Sequence, residues 1–353
     1  MKPNTKRKKL GSDSFPVPLS GEGYEYETNF EFGFRVSGFG FRVSGLGFMS
    51  LPELIFSILI FPGFLFTAVI GLLLTWVDRK VTARVQMRVG PPWYQPFADF
   101  FKLLLKETMV PEGAAKTVFL LAPMLGVIAM PIVAVMLFYM NINPYASFVG
   151  DLIVILYLFA LPPLGIIIGG SASKNPLSAV GASREMTQYF SYELPFLAAI
   201  LVPIIKTGSV KIGDIVLYQE LHRSVLYSLS GVIATITALI CIQAKLGYVP
   251  FDIPEAEQEI MAGPLLEYSG ASLAMFRLTR AMMLFLLPLF VITLFWGGFA
   301  NLWAIPKFIL IIVLIILAKN TNPRLRIDQA LKFFWLGLGI FAIIGLILAV
   351  LRL

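Results

Sequence analysis

Five carboxylates, Asp252, Glu255, Glu257, Glu259 and Glu267, crowd into the segment PFDIPEAEQEIMAGPLLEYSG at 250–270. Acids this close repel one another, which raises some of their pKa values and suits proton exchange near neutral pH. Glu255 and Glu259 stand at i and i+4, so a helix here sets both on one face. Phe251, Ile253 and Ile260 interleave with the acids as in a packed segment, the alternative being a solvated acidic loop. In GASREMTQYFSYELP at 181–195, Arg184 and Glu185 open a helix and Glu193 falls two turns further on, inside an apolar run. A charged side chain within a membrane span costs about 2.5–3.5 kcal/mol on insertion scales. Glu193 therefore lines a polar path, pairs with a cation, or hydrogen-bonds a neighbouring helix.

The cations fall in other segments. In VDRKVTARVQMRVGPPWYQPFADFFKLLLKE at 77–107, Lys80, Arg84 and Arg88 stand at i, i+4 and i+8, which predicts one shared helix face. Gly90-Pro91-Pro92 breaks that helix. Residues 96–107 then read as an amphipathic helix, with Phe97, Phe100, Phe101, Leu104 and Leu105 against Asp99, Lys102, Lys106 and Glu107. An interfacial helix with snorkelling cations has the same pattern. NPRLRIDQ at 322–329 carries Arg324, Arg326 and Asp328, which fits an orientation signal, an ionic anchor for the acidic segment, or a partner contact.

Much chemistry is excluded. With one cysteine, Cys241, and one histidine, His222, the chain forms no intrachain disulfide and by itself holds no iron–sulfur cluster, tetrahedral zinc or bis-histidine haem. Cys241 sits in an apolar run and reads as an inert core thiol; His222, in a polar loop, reads as a solvated surface residue. No phosphate loop, Ser–His–Asp arrangement or nucleotide fingerprint is present, so the chain is not expected to be an enzyme by itself. The net charge of +7 does not point to nucleic acid, because the lysines and arginines lie in short loops between apolar runs.

The elements that must position these residues are membrane helices. Of 353 residues, 58% are hydrophobic and only 14% charged, and the mean hydropathy is +0.81; soluble domains carry about 25% charged residues. Apolar runs cover 52–77, 117–140, 151–170, 187–205, 225–249, 273–299, 303–318 and 333–351. Each approaches the ~20 residues needed to cross a hydrocarbon core ~30 Å thick. The expected fold is therefore all-α and polytopic, with eight transmembrane helices and an amphipathic cytoplasmic helix. Pro62, Gly63, Pro123, Pro131, Pro162, Pro163 and Pro195 predict kinks. Seven Lys or Arg in loop 78–116, none in 141–150, two in 171–186 and four in 319–332 put the odd-numbered loops in the cytoplasm and both termini outside. Lys206, Lys211 and Arg223 in the fourth loop are outweighed. Residues 1–48 differ from the rest: they hold the run Lys6-Arg7-Lys8-Lys9 and a tandem heptapeptide, FGFRVSG, at 32–38 and 39–45. They are expected to be a disordered tail, or upstream sequence ahead of a true start at Met49. Their seven basic residues, external in this topology, favour the latter; residues 49–353 form the membrane domain.

Together, RKVTARVQMRVGP, QPFADFFKLLLKE, GASREMTQYFSYELP, PFDIPEAEQEIMAGPLLEYSG and PRLRIDQ, in that order from residue 79 to 329, resemble the eight-helix heel subunit of respiratory complex I. They also resemble its relatives in energy-converting, membrane-bound nickel–iron hydrogenases. Two departures point to the hydrogenase-like and sulfur-reducing branch. Only Pro92-Trp93-Tyr94 separates Gly90-Pro91 from Gln95-Pro96, where quinone-reducing members have a longer insert, and Gly263-Pro264-Leu265-Leu266 precedes EYSG. The resemblance implies a multi-pass cell-membrane subunit that couples electron transfer to H⁺ or Na⁺ movement. Its cofactors would sit on partner subunits: Fe–S clusters and, in hydrogenases, a NiFe centre. The implied partners are peripheral Fe–S and hydrogenase-like large subunits on the cytoplasmic side and antiporter-like membrane subunits. The implied coupling path runs through Glu193, Glu255, Glu257 and Glu259, bordered by Asp252 and Glu267, with Asp151 as an additional candidate. Arg84, Arg88, Arg184, Arg324 and Arg326, together with Asp99 and Lys102, would serve as counter-charges and docking contacts. A quinone-binding role and a secondary transporter remain the alternatives; the transporter predicts repeated halves and a midplane site, which the sequence does not display.

Overall fold

The computed structural model describes residues 35–36, 39–40 and 51–352. The chain divides into two units, 1–44 and 45–353. In the first, Arg35–Val36 pairs antiparallel with Phe39–Gly40. The remainder of 1–48, and with it the expectation of a tail or a mis-assigned start, lies outside the described residues.

The second unit is helical: α1 (Leu51–Leu59), α2 (Phe64–Val85), α3 (Gln95–Leu105), α4 (Lys116–Ile142), α5 (Asp151–Ala172), α6 (Pro176–Thr207), α7 (Ile212–Leu221), α8 (Leu229–Lys245), α9 (Glu257–Ile260), α10 (Gly270–Phe295), α11 (Ala304–Thr321), α12 (Ile327–Lys332) and α13 (Gly339–Val350). A π-helical stretch, Phe333–Leu338, joins α12 to α13. Pro62-Gly63 breaks the first apolar run outright between α1 and α2, where a Cβ on Gly63 would lie 2.0 Å from the Ile58 carbonyl oxygen. The other prolines sit inside α4, α5 and α6. Among the described residues, seven stretches are long and apolar enough to span a bilayer. The eighth expected run is α8, of only 17 residues, because the chain turns at Gly247, whose φ is +63°.

Helix α10 is the axis of the bundle. Its most apolar window is 94% buried, against 22–50% for the other spans, which keep apolar faces outward as lipid-exposed helices do. Small residues allow the close approaches: a Cβ on Gly71 of α2 would meet the Ala281 backbone of α10 at 2.5 Å. Phe97 and Phe100 of α3 pack on the core, while Phe101 and Leu105 are exposed.

One local expectation is corrected. Arg88 does not continue the face of Lys80 and Arg84, because α2 ends at Val85. Met87, at φ +58°, reverses the chain, the Arg88 amide donates to the Ala83 carbonyl at 2.7 Å and the Met87 amide to that of Arg84 at 3.1 Å. This is a Schellman stop, with methionine in the position glycine usually holds.

Candidate functional site

The acidic segment is rooted before it is charged. Three successive carbonyls at its entry accept hydrogen bonds from three different elements. Gln243 Nε2 of α8 donates to Val249 O at 2.8 Å, the Leu325 amide to Pro250 O at 3.0 Å, and Gln188 Nε2 of α6 to Phe251 O at 2.7 Å. The exit is held at Glu267, whose Oε1 accepts from Asn175 Nδ2 at 2.5 Å. The oxygen of the same Asn175 side chain caps α6 by accepting the Leu177 amide.

Between these roots the acids separate toward different cations. Arg280 of α10 grips Glu255 through both terminal nitrogens, one of the bonds measuring 2.8 Å. Arg324 pairs with Asp252. Arg184 Nη1 of α6 meets Glu259 Oε2 at 2.5 Å. The predicted helix face shared by Glu255 and Glu259 does not form: α9 begins only at Glu257, after Pro254, and its first turn follows Glu255. The side chain of Glu257 lies outside the described residues. The bond and charge of Arg184 hold the Glu259 carboxyl below its ordinary range. Burial pushes Asp252 above its own, against the opposing pull of Arg324. Mutual repulsion of the acids is thus relieved by pairing, and burial is what disfavours ionisation here.

Deeper in the bundle, Lys245 ends α8 with a side chain that is 0% exposed. Its Nζ donates to Glu193 Oε2 at 2.9 Å and lies 4.6 Å from the Phe196 ring centroid and 5.6 Å from that of Tyr192. Between this pair and the acidic segment is a cavity of about 350 Å³. Glu185, Lys245, Asp252, Glu255, Arg277 and Arg280 line it, with Pro162, Tyr268 and Phe276 among its walls. Glu185 interacts electrostatically with both Glu255 and Arg280. The Tyr268 hydroxyl donates to Phe119 O at 3.1 Å, and burial raises its pKa.

Around this core, Arg79 pairs with Asp99 of α3 at 2.8 Å. Burial opposes ionisation of Asp99, but bonds from Arg79 and Gln95 outweigh it and hold its pKa down. Arg84, Arg88, Lys102 and Arg326 are exposed and form no ion pair among the described residues. Asp151 is not brought to this site: it is 0% exposed and accepts the Leu152 amide at 2.6 Å and the Ile212 amide at 3.1 Å, which fastens α7 to the start of α5. Cys241 is buried, and His222 is exposed and stacked on Tyr218 at 4.5 Å. No group of three or more His, Cys, Asp or Glu side chains able to hold a metal ion occurs among the described residues.

Sequence reasoning missed Lys245, Arg277, Arg280 and the cavity-facing role of Glu185. The available signal was the one that marked Glu193: an ionisable residue within an apolar run, here FRLTRAMM in α10 and CIQAKLG at the end of α8.

Fold and site together define a multi-pass membrane subunit with a charged cavity closed by an ion-paired acidic segment. The sequence matches the NADH dehydrogenase family over residues 56–350. It is 35% identical over 302 residues to an NADH-quinone oxidoreductase subunit of Dehalococcoides mccartyi, covering 80% of this chain and 81% of that protein. It is 34% identical over 275 residues to the corresponding NADH-quinone oxidoreductase subunit of a Geobacillus species, with 73% and 82% covered. A solved structure of the membrane-bound sulfane sulfur reductase, an archaeal respiratory membrane complex, contains a chain that superposes with a TM-score of 0.74 at 31% identity, covering 84% of this chain and 99% of that one. The chain belongs to the NADH dehydrogenase family, the heel subunits of respiratory complex I-like membrane complexes.

Proposed function

We propose that this subunit couples electron transfer in a peripheral arm to ion movement in the membrane, in a complex of the sulfur-reducing or hydrogenase type. One observation carries this reading: charged groups follow one another from the acidic segment, through Arg280, Glu255 and Glu185 around the cavity, to the buried Glu193–Lys245 pair. In the proposed mechanism, partner subunits would hold the iron–sulfur clusters and, in hydrogenases, the NiFe centre that supply electron transfer near this face. The change of charge there shifts the acidic segment. Arg280 then trades Glu255 for Glu185, the field at the Glu193–Lys245 pair changes, and a proton moves on toward antiporter-like membrane subunits that carry H⁺ or Na⁺. Arg84, Arg88, Lys102 and Arg326 are available to dock the peripheral arm, and Glu257 belongs to the same chain of acids. The short connection from Gly90 to Gln95, held by Trp76 Nε1 on Pro91 O at 3.1 Å and Lys80 Nζ on Gly90 O at 3.2 Å, supports the sulfur-reducing or hydrogenase branch.

The names of the relatives favour a second reading, a quinone-binding subunit. Assays on the purified complex separate the two. Hydrogen evolution or reduction of a sulfur compound, insensitive to quinone analogues, is expected; inhibition by those analogues would establish the quinone reading. The coupling role itself is tested with Glu193→Gln: the assembled complex should transfer electrons without moving ions. Retained ion movement would refute it.

A further inference from the structure

A second lysine–carboxylate pair, with its carboxylate buried, lies between α2 and α11. Asp78 of α2 is 4% exposed, and its Oδ2 accepts from Lys319 Nζ of α11 at 2.6 Å. Its other oxygen, Oδ1, is buried with no hydrogen-bond partner. One turn along, Asn320 Nδ2 donates to Thr82 Oγ1 at 3.2 Å, so a polar seam runs between two membrane helices. Lys319 Nζ lies 4.6 Å from the centroid of the Tyr248 ring. Tyr248 directly precedes the pinned carbonyls of the acidic segment, and its hydroxyl interacts electrostatically with both Asp78 and Arg280. The arrangement resembles that of Glu193 and Lys245 in its parts, a carboxylate, a lysine from a neighbouring helix and an aromatic ring beside the ammonium, but here the carboxylate and not the lysine is the sequestered partner. Packing alone does not account for it. Desolvating two charges offsets their attraction, an orphaned buried acceptor adds a further cost, and ionisable groups within spans characteristically mark ion paths.

We propose that Asp78 and Lys319 form a second proton-exchanging pair of the coupling machinery, joined to the cavity through Tyr248. The proposal rests on the coupling reading above. In the exchange step a proton leaves Lys319 Nζ for Asp78 Oδ2: one N–H bond breaks, one O–H bond forms, and a neutral amine and a neutral acid replace the ion pair. The reverse transfer restores the charges. When Arg280 moves between Glu255 and Glu185, the charge on the far side of Tyr248 changes, and the balance between the two forms moves with it.

The test compares ions moved per electron by the whole complex in liposomes for Asp78→Asn, Asp78→Glu, Asp78→Asn/Lys319→Met and Glu193→Gln. Asp78→Asn and the double variant should fall to the level of a protonophore-treated control, and Asp78→Glu should recover. The double variant leaves no charge unpaired, so a wild-type ratio there would show a purely structural pair and overturn the proposal. If no Asp78 variant assembles, a membrane-permeant carbodiimide on the wild-type complex decides: an adduct on Asp78 formed only during turnover supports the proposal, and its absence overturns it. The Glu193→Gln arm keeps the two claims apart. Ion movement lost in Glu193→Gln but intact in the double variant refutes the Asp78 branch alone. The opposite pattern refutes the Glu193 path and supports Asp78.

Discussion

Neutralising one member of the Glu193–Lys245 pair should have an asymmetric cost. The Lys245 side chain is fully enclosed, whereas that of Glu193 is 13% exposed. Glu193→Gln strands an ammonium with no counter-charge, a change that costs roughly 3–5 kcal/mol in buried pairs. The Phe196 and Tyr192 faces hold that ammonium before and after the change, so they leave this loss unaltered. Lys245→Met fills the same space without a charge and leaves a carboxylate that already reaches solvent in part, so its loss should be roughly 1 kcal/mol, the scale of a partly exposed pair. The double variant leaves no stranded charge and should return close to wild type. A denaturant titration of each purified complex, followed by tryptophan fluorescence, ranks the four midpoints. If Lys245→Met is the more damaging single change, or if the double variant is as unstable as Glu193→Gln, the pair is not organised around a sequestered lysine.

Other outcomes follow from the geometry. Arg184 lowers the Glu259 pKa from the ordinary 4.5, so its stabilisation of the acidic segment is present above that value and is lost as pH falls through the depressed one. Hydrogen exchange at Glu259 and Ile260 should therefore rise on acidification in the wild type and change less in Arg184→Gln; equal pH dependence would contradict the assignment. Asp151→Ala should destabilise the α5–α7 junction by about 2 kcal/mol, as two amides lose a charged acceptor, without altering the ions moved per electron; a change in that ratio would put Asp151 on the proton path. Gly181→Ala places a Cβ 2.5 Å from the Pro264 backbone nitrogen, so it should push the acidic segment off α6 and show as faster proteolysis around Met261, while unchanged proteolysis would show that the segment yields freely.

The spans were legible because apolar runs interrupted by charged loops dictate them, and Glu193 stood out as an acid in such a run. The acidic segment, its flanking arginines and their clustering were legible as composition. Their pairing was not. Arg280 reaches Glu255 across 25 positions and Arg184 reaches Glu259 across 75, and no local spacing encodes such partners. Helical periodicity also misled at both ends of the site. It carried Arg88 along a helix that Met87 had already stopped, and it joined Glu255 to Glu259 across a helix that starts between them. Asp151, a candidate that the family resemblance implies, accepts two amides that only the tertiary fold brings near.

The three pinned carbonyls make the entry to the acidic segment a fulcrum. Val249, Pro250 and Phe251 are tied to α8, to the stretch of chain before α12, and to α6, so the segment can swing about this point but not slide along it. Because the exit is also held, at Glu267, a small rotation at residue 251 displaces the middle of the segment, Glu255 to Glu259, most. The Leu325 amide, bonded to the middle carbonyl, is a built-in gauge of that fulcrum, since its proton is released to solvent only when the stem itself gives way.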